Sequence, residues 1–316
     1  MVSSQPILYG VGVGPGDLEL LTLKAQRVLR TVDVIAYPSC KIGGSSYALR
    51  IVKPLLDLNR QKLEGLLFPM DKDFARLVPV WRESARTIAG HLKAGRSVAF
   101  ITEGDPMLYS TFLHVYEIVA EEFPEIEVEI IPGVTSLTAV AAAGRVALGQ
   151  ADEAIAIVPA TYQKHELKEL LQRFDTVVLM KVGAVLDEVA DTLEELGLKE
   201  QALLASRVGT RHQIVTRKLD LYRGKRLHYL TTLVVSKRTE PLVQSLARSL
   251  DQDVSSAAKP NAASDGGEVA DDLAGLASNG VRARACEPTA AEEGEPERPR
   301  RACRARGVLS DGESTV

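Results

Sequence analysis

Four short apolar runs, Ile7 to Val11, Val32 to Tyr37, Ser97 to Thr102 and Val128 to Ile131, alternate with stretches of helical spacing at Leu21 to Leu29, Ser46 to Leu56, Trp81 to Lys93 and Leu108 to Glu121. Apolar runs this short, bounded by turn residues, fit strands covered on both faces, and strands alternating with helices pack as a parallel sheet between helical layers. The first part of the chain is therefore read as α/β. A second series follows, with strands near Ala154 to Val158, Thr176 to Met180, Ala202 to Ser206, Gln213 to Thr216 and Leu230 to Val235, and helices at Glu166 to Arg173 and Ala184 to Leu196. Its last three strands have no long helix between them, which predicts a mixed sheet. The division falls near Val134, giving an N-terminal domain over 1–133 and a C-terminal domain over 134–245.

Beyond residue 246 the composition changes. From Asp251 onward there is no Phe, Tyr or Trp, and 8 Lys/Arg stand against 13 Asp/Glu, including the run Glu292-Glu293-Gly294-Glu295-Pro296-Glu297 followed by Arg298-Pro299-Arg300-Arg301. Such a segment buries too little apolar surface to offset its chain entropy, so residues 246–316 are read as a disordered tail. The net charge of −4 lies in that tail, which leaves the folded part near neutral and argues against a nucleic-acid partner. No apolar run approaches the 18 or so residues that span a bilayer, and Met1 to Pro6 carry no basic residue ahead of the first strand, so no membrane association and a cytoplasmic location are expected. The three cysteines (Cys40, Cys286, Cys303) and five histidines show no ligand spacing, and no protein-bound metal is expected.

In open α/β sheets ligands collect beyond the carboxyl ends of strands, so the loops there carry the chemistry. Gly10-Val11-Gly12-Val13-Gly14-Pro15-Gly16-Asp17 follows the first strand directly and precedes a helix that Thr22 is placed to cap. It fails the dinucleotide pattern G-x-G-x-x-G in every register, because Pro15, Asp17 and Glu19 occupy the third glycine position in turn. Alone, the loop fits either a tight turn or a backbone cradle stiffened by Pro15. A second loop, Glu103-Gly104-Asp105-Pro106-Met107-Leu108-Tyr109-Ser110-Thr111, follows the third run, and a third, Ile131-Pro132-Gly133-Val134-Thr135-Ser136, follows the fourth. The near P-loop at Gly90 to Ser97 is excluded, since a helix precedes it and a strand follows, and Gly95 reads as a helix C-terminal glycine.

Together and in this order, Gly12-Val13-Gly14-Pro15-Gly16-Asp17, Glu103-Gly104-Asp105-Pro106-Met107-Leu108-Tyr109-Ser110-Thr111 and Ile131-Pro132-Gly133-Val134-Thr135-Ser136 resemble the tetrapyrrole methylase family over residues 7 to about 236. The resemblance implies two α/β domains with the active site in the cleft between them, S-adenosyl-L-methionine as co-substrate, and a homodimer. It places cofactor contacts at Pro15, Glu103, Gly104, Asp105, Leu108, Thr135, Ser136, Met180 and Gly209. The runs Tyr37-Pro38-Ser39-Cys40-Lys41-Ile42-Gly43-Gly44-Ser45-Ser46-Tyr47-Ala48 and Met107 to Phe112 point to the branch that methylates C20 of precorrin-2 or of cobalt-factor II. Uroporphyrinogen-type members carry an aspartate where this chain has Pro38, which disfavours that substrate and leaves no assigned catalytic base. Methylation of another tetrapyrrole (uroporphyrinogen III or a later precorrin), or a non-catalytic S-adenosylmethionine or tetrapyrrole binding module, remains as the alternative reading.

A substrate of this kind brings eight carboxylates, so cations are expected at the mouth of the cleft. Lys41, Arg50 and Arg211 are the substrate-binding candidates, with Lys53 and Arg207 in neighbouring segments. For a meso carbon of a reduced tetrapyrrole, itself nucleophilic, the protein's task is to align the reacting atoms and exclude water.

Overall fold

The structure, a computed structural model, describes residues 5–238 except 42, 72 and 161–163. The expected tail over 246–316 lies outside the described residues, as do Cys286 and Cys303.

Five strands, β1 (Ile7–Gly12), β2 (Val34–Ser39), β3 (Lys62–Leu67), β4 (Val98–Thr102) and β5 (Glu127–Ile131), form one all-parallel sheet in the order β3-β2-β4-β1-β5. Successive side chains of a strand point to opposite faces, and each central strand here feeds two cores. Leu8, Val34, Ala36, Val98 and Phe100 pack under α3 (Phe74–Lys93) and α4 (Phe112–Glu122). Val11, Ile35, Ala99 and Ile101 pack under α1 (Leu23–Thr31) and α2 (Tyr47–Val52). The chain therefore leaves β1 toward one face and β4 toward the other, and because β1 and β4 are neighbours a crevice opens beyond their carboxyl ends.

α5 (Ser136–Gly144) follows β5 and packs on a second five-stranded sheet, ordered β6-β7-β10-β8-β9. β6 (Ile155–Pro159) and β7 (Thr176–Met180) pair in parallel, whereas β10 (Thr231–Ser236) runs antiparallel to β7 and to β8 (Ala202–Ser206), and β9 (Ile214–Thr216) antiparallel to β8. The expected mixed sheet is present. Leu137 and Val140 of α5 cover Val178, Leu203 and Val234 on one face. On the other, Leu167 and Leu171 of α6 (Lys164–Arg173) and Val189 and Leu193 of α7 (Leu186–Glu195) cover Val177, Leu179, Leu204 and Leu233. Among the described residues no helix is long and apolar enough to cross a membrane.

Local signals set the boundaries. Thr22 caps α1 as expected, its Oγ1 accepting the N–H of Ala25 at 3.2 Å. α3 ends in a paired C-terminal turn: Gly95 has φ +77°, its N–H bonds to Leu92 O (2.9 Å), and the N–H of Arg96 bonds to His91 O (3.1 Å). α3 begins at Phe74 rather than Trp81, because Pro79 is tolerated inside its N-terminal part and Asp73 caps it. α2 stops at Val52, and Pro54 carries the chain into a single 3-10 turn over Lys53–Leu55. β3 lies outside the expected strands: it is an edge strand with exposed Lys62 and Gly65, and its pattern is too polar to stand out.

Phe100 is fully buried between the rings of Phe68 and Phe112, with centroids at 5.9 and 5.6 Å. Phe100→Ala is expected to cost about 3–5 kcal/mol, read as a lower urea midpoint at an unchanged slope.

Candidate functional site

The loops after β1, β4 and β5 meet through their glycines. A methyl group on Gly12 would lie 2.6 Å from both the Gly104 carbonyl oxygen and the Gly133 nitrogen, and one on Gly133 would lie 2.0 Å from that same oxygen. Gly14 and Gly104 exchange main-chain hydrogen bonds, at 3.3 Å from Gly14 N–H and 2.8 Å from Gly104 N–H. Asp105 braces the junction, its Oδ2 accepting the N–H of Gly133 (3.0 Å) and its Oδ1 that of Met107 (2.8 Å). On the other side, a methyl group on Gly209 (φ +80°) would lie 2.9 Å from the Asp17 nitrogen, so the glycine loop also packs against the turn after β8.

Above these loops, between the two sheets, opens a cleft of about 580 Å³. Its floor carries Pro15, Gly104, Asp105, Thr135 and Ser136, and Leu108, Val140, Met180 and Ala205 supply an apolar wall. Thr135 caps α5, its Oγ1 accepting the N–H of Thr138. Of the residues expected to contact the cofactor, all line this cleft except Gly209, which stands behind it against Asp17. Of the substrate candidates Arg50 lines it, while Lys41 and Arg211 are exposed outside the lining. Arg211 Nε donates instead to His212 (3.1 Å), and the turn in which the Ser39 hydroxyl bonds Lys41 O leaves Lys41 facing solvent. Lys53 is likewise exposed.

Several cleft residues come from segments without a motif. Tyr47 Oη and Arg207 Nε are buried with no hydrogen-bond partner among the described residues, as befits polar groups that line a ligand site. Arg50 stacks over the Tyr47 ring at 5.1 Å, and the His228 ring lies 6.3 Å from it. Lys181 sits over the rings of Tyr109 and Tyr229 at 5.9 and 5.3 Å. Tyr109, Lys181 and Arg207 all have left-handed backbones, with φ of +51°, +63° and +50°, a cost that non-glycine residues bear mostly at functional sites. At the far end His114 stacks flat on Trp81, centroids 3.8 Å apart, beside exposed Phe74.

The electrostatics follow from crowding these groups out of water. Burial pushes the Glu103 carboxyl above the usual glutamate range, opposed by its own N–H, by that of Ala48 (3.1 Å to Oε1) and by the charge of Arg50. Burial also raises the Tyr47 phenol, with Arg50 pulling it down and Glu103 adding to the rise. Burial, Arg207 and Arg50 together lower His228, which is therefore neutral near pH 7. Its Nδ1 accepts the N–H of Leu230 (3.1 Å), so the ring proton sits on Nε2. Gly133→Ala is expected to pry the three loops apart and destabilise by about 1–3 kcal/mol. Gly90→Ala, in α3 with open space around it, should instead gain up to about 1 kcal/mol. Thermal melting of the two variants distinguishes them.

The model of the Tetrapyrrole (Corrin/Porphyrin) Methylases matches residues 7–220. Over 234 residues, 74% of this chain and 97% of the other, the sequence is 35% identical to the cobalt-precorrin-2 C(20)-methyltransferase of Salmonella typhimurium. It is 44% identical over 174 residues, 55% of this chain and 71% of the other, to the probable cobalt-precorrin-2 C(20)-methyltransferase of Methanocaldococcus jannaschii. Among solved structures, a cobalt precorrin-4 methyltransferase superposes with a TM-score of 0.60 at 19% identity, covering 76% of this chain and 99% of that one. The uroporphyrin-III C-methyltransferase of Thermus thermophilus, complexed with S-adenyl homocysteine, gives 0.51 at 23% identity, covering 73% and 97%. At such identities the likeness is one of fold. With the three glycine-bearing loops joined beneath one cleft and a family match that covers the first sheet and four strands of the second, the chain belongs to the tetrapyrrole methylases.

Proposed function

We propose that this chain transfers a methyl group from S-adenosyl-L-methionine to C20 of precorrin-2, or of its cobalt-bearing counterpart cobalt-factor II, in cobalamin biosynthesis. The observation that carries the reading is the cleft itself. One end is a main-chain cradle walled by apolar side chains, and beside it stand cations, one with an unmatched buried donor, in a chain that aligns with nearly the whole length of the Salmonella enzyme.

The cradle fits the co-substrate by the chemistry of its donors. A molecule with an amino-acid end and an apolar adenosyl thioether needs polar backbone beside an apolar wall; the loops at Gly104 and Thr135 supply the first, and Leu108 and Met180 the second. When bound, it supplies an electrophilic methyl group on a good leaving sulfur. Pro15 keeps the first loop rigid, and Asp105, with both oxygens taken by main-chain N–H groups, holds the second and third loops in register. Arg50, Arg207 and Lys181 are placed to take the substrate's carboxylates, Arg207 through the Nε that has no other partner. Residues 1–133 and 134–245 then act as two domains closing on one site, in a homodimeric cytoplasmic enzyme.

Pro38, where uroporphyrinogen-type relatives carry an aspartate, lines the cleft and offers no acid or base. Incubation of the purified protein with methyl-labelled co-substrate and freshly prepared precorrin-2 is expected to give one added methyl group, located at C20 by NMR. A protein that neither transfers the label nor binds precorrin-2 would sink the proposal. Arg207→Gln is expected to raise KM for the tetrapyrrole on the order of tenfold or more, as loss of a charged hydrogen bond does, with a smaller change in kcat.

A further inference from the structure

Methylation of a ring carbon that carries hydrogen leaves one proton to be removed, and no residue has been given that task. We infer that Glu103 is the catalytic base that takes the proton from the methylated carbon; this rests on the function proposed above. The step is a proton transfer. The C–H bond at the methylated carbon breaks, and its electron pair returns to the conjugation of the macrocycle, cancelling the positive charge that arrived with the methyl group. The proton moves onto the Glu103 carboxylate and from there to water after product leaves.

Position and hydrogen bonding set Glu103 apart from Asp105, His228, Tyr47 and His114. Asp105 has each oxygen committed to a main-chain N–H, Gly133 on one side and Met107 on the other. His228 accepts the Leu230 N–H at Nδ1, so its other nitrogen is a donor. Tyr47 is held in its neutral phenol form by burial. His114 lies flat on Trp81 on the α3–α4 side, away from the joined loops. Glu103 stands at the carboxyl end of β4, where the crevice between β1 and β4 opens, and lines the cleft. Its Oε1 accepts the Ala48 N–H in the first turn of α2, and its own N–H also donates to the carboxyl, so the group is held at the mouth of the crevice. Arg50 and Tyr47 of α2 interact with it electrostatically, and Asp71, Asp105, Tyr109, Lys181, Arg207, His228 and Tyr229 line the same cleft. A carboxylate whose proton affinity is raised by burial is a stronger base than an ordinary glutamate.

The test compares the wild-type enzyme with Glu103→Gln, which keeps an amide oxygen for the Ala48 N–H, and with Glu103→Asp. In the wild type, kcat is expected to rise with pH through an acid limb lying above the ordinary carboxylate range, because the base works only when deprotonated. Glu103→Gln should lose that limb and fall by roughly 10²–10⁴ in kcat. It should also show a deuterium isotope effect with substrate labelled at the reacting carbon, since proton removal becomes slow. Glu103→Asp should recover part of the rate. Calorimetric binding of S-adenosylhomocysteine should weaken far less in Glu103→Gln than kcat falls, and its melting temperature should stay close to wild type. The inference is overturned if Glu103→Gln keeps the wild-type kcat and pH profile, if it loses S-adenosylhomocysteine binding in proportion to activity, or if the wild type shows no acid limb. A wild type that never methylates precorrin-2 instead defeats the proposed function, which keeps the two failures apart.

Discussion

Everything at the cleft is placed by one close contact, the meeting of Gly12, Gly104 and Gly133 at the ends of three neighbouring strands. Adjacent parallel strands are separated by little more than a hydrogen bond, so loops leaving β4, β1 and β5 on the same edge compete for the same space. A side chain at Gly12 or Gly133 would strike backbone rather than another side chain, and backbone cannot rotate away. With glycine at all three positions the loops close into one floor, and the carboxylate of Asp105 locks that floor by taking an N–H from each of two loops. Because α5 starts within this floor and packs on the second sheet, the contact also fixes where the second wall of the cleft stands.

Stability and function pull against each other around that floor. Three side chains lining the cleft, Tyr109, Lys181 and Arg207, hold left-handed backbones, each costing about 1–3 kcal/mol. Two buried polar atoms, Tyr47 Oη and Arg207 Nε, have lost water and found no protein partner among the described residues. The cores beneath both sheets supply the surplus: the central strands β4, β8 and β10 are buried along their whole length. Lys181 offers the complementary solution, resting its cation on the faces of Tyr109 and Tyr229, groups it can leave without stranding a buried partner.

How far the sequence reached follows from the same physics. Strands buried on both faces write themselves as unbroken apolar runs, so β1, β2, β4 and the central strands of the second sheet were legible. β3 pairs only with β2, keeps polar residues toward water and has no such run. Helix ends were legible where a side chain or a glycine acts locally, as at Thr22 and Gly95, and were displaced where proline admits two outcomes: Pro79 sits inside α3, whereas Pro54 ends α2. The loops holding Pro15, Gly104 and Thr135 were legible because they follow strands directly. Lys181, Tyr229 and His228 reach the cleft only through the packing of the second sheet against the first, and no local pattern announces them. Lys41 and Arg211 illustrate the converse, for sequence proximity to the mouth does not decide which way a side chain on a surface turn points.

Glu103 and Asp105 are two residues apart in one loop, yet the fold gives them opposite tasks. Asp105 is surrounded by main-chain donors, and a carboxylate whose oxygens are both hydrogen-bonded is a structural brace. Glu103 accepts two main-chain N–H groups, its own and that of Ala48, yet burial outweighs them, so its charged form is the costly one and a proton is held more tightly. A brace and a proton acceptor two residues apart divide the task of organising the site from that of exchanging a proton. That division also explains how the chain manages with Pro38 on the second strand: the capacity for proton transfer resides on β4, next to the loops that every other part of the site is built around.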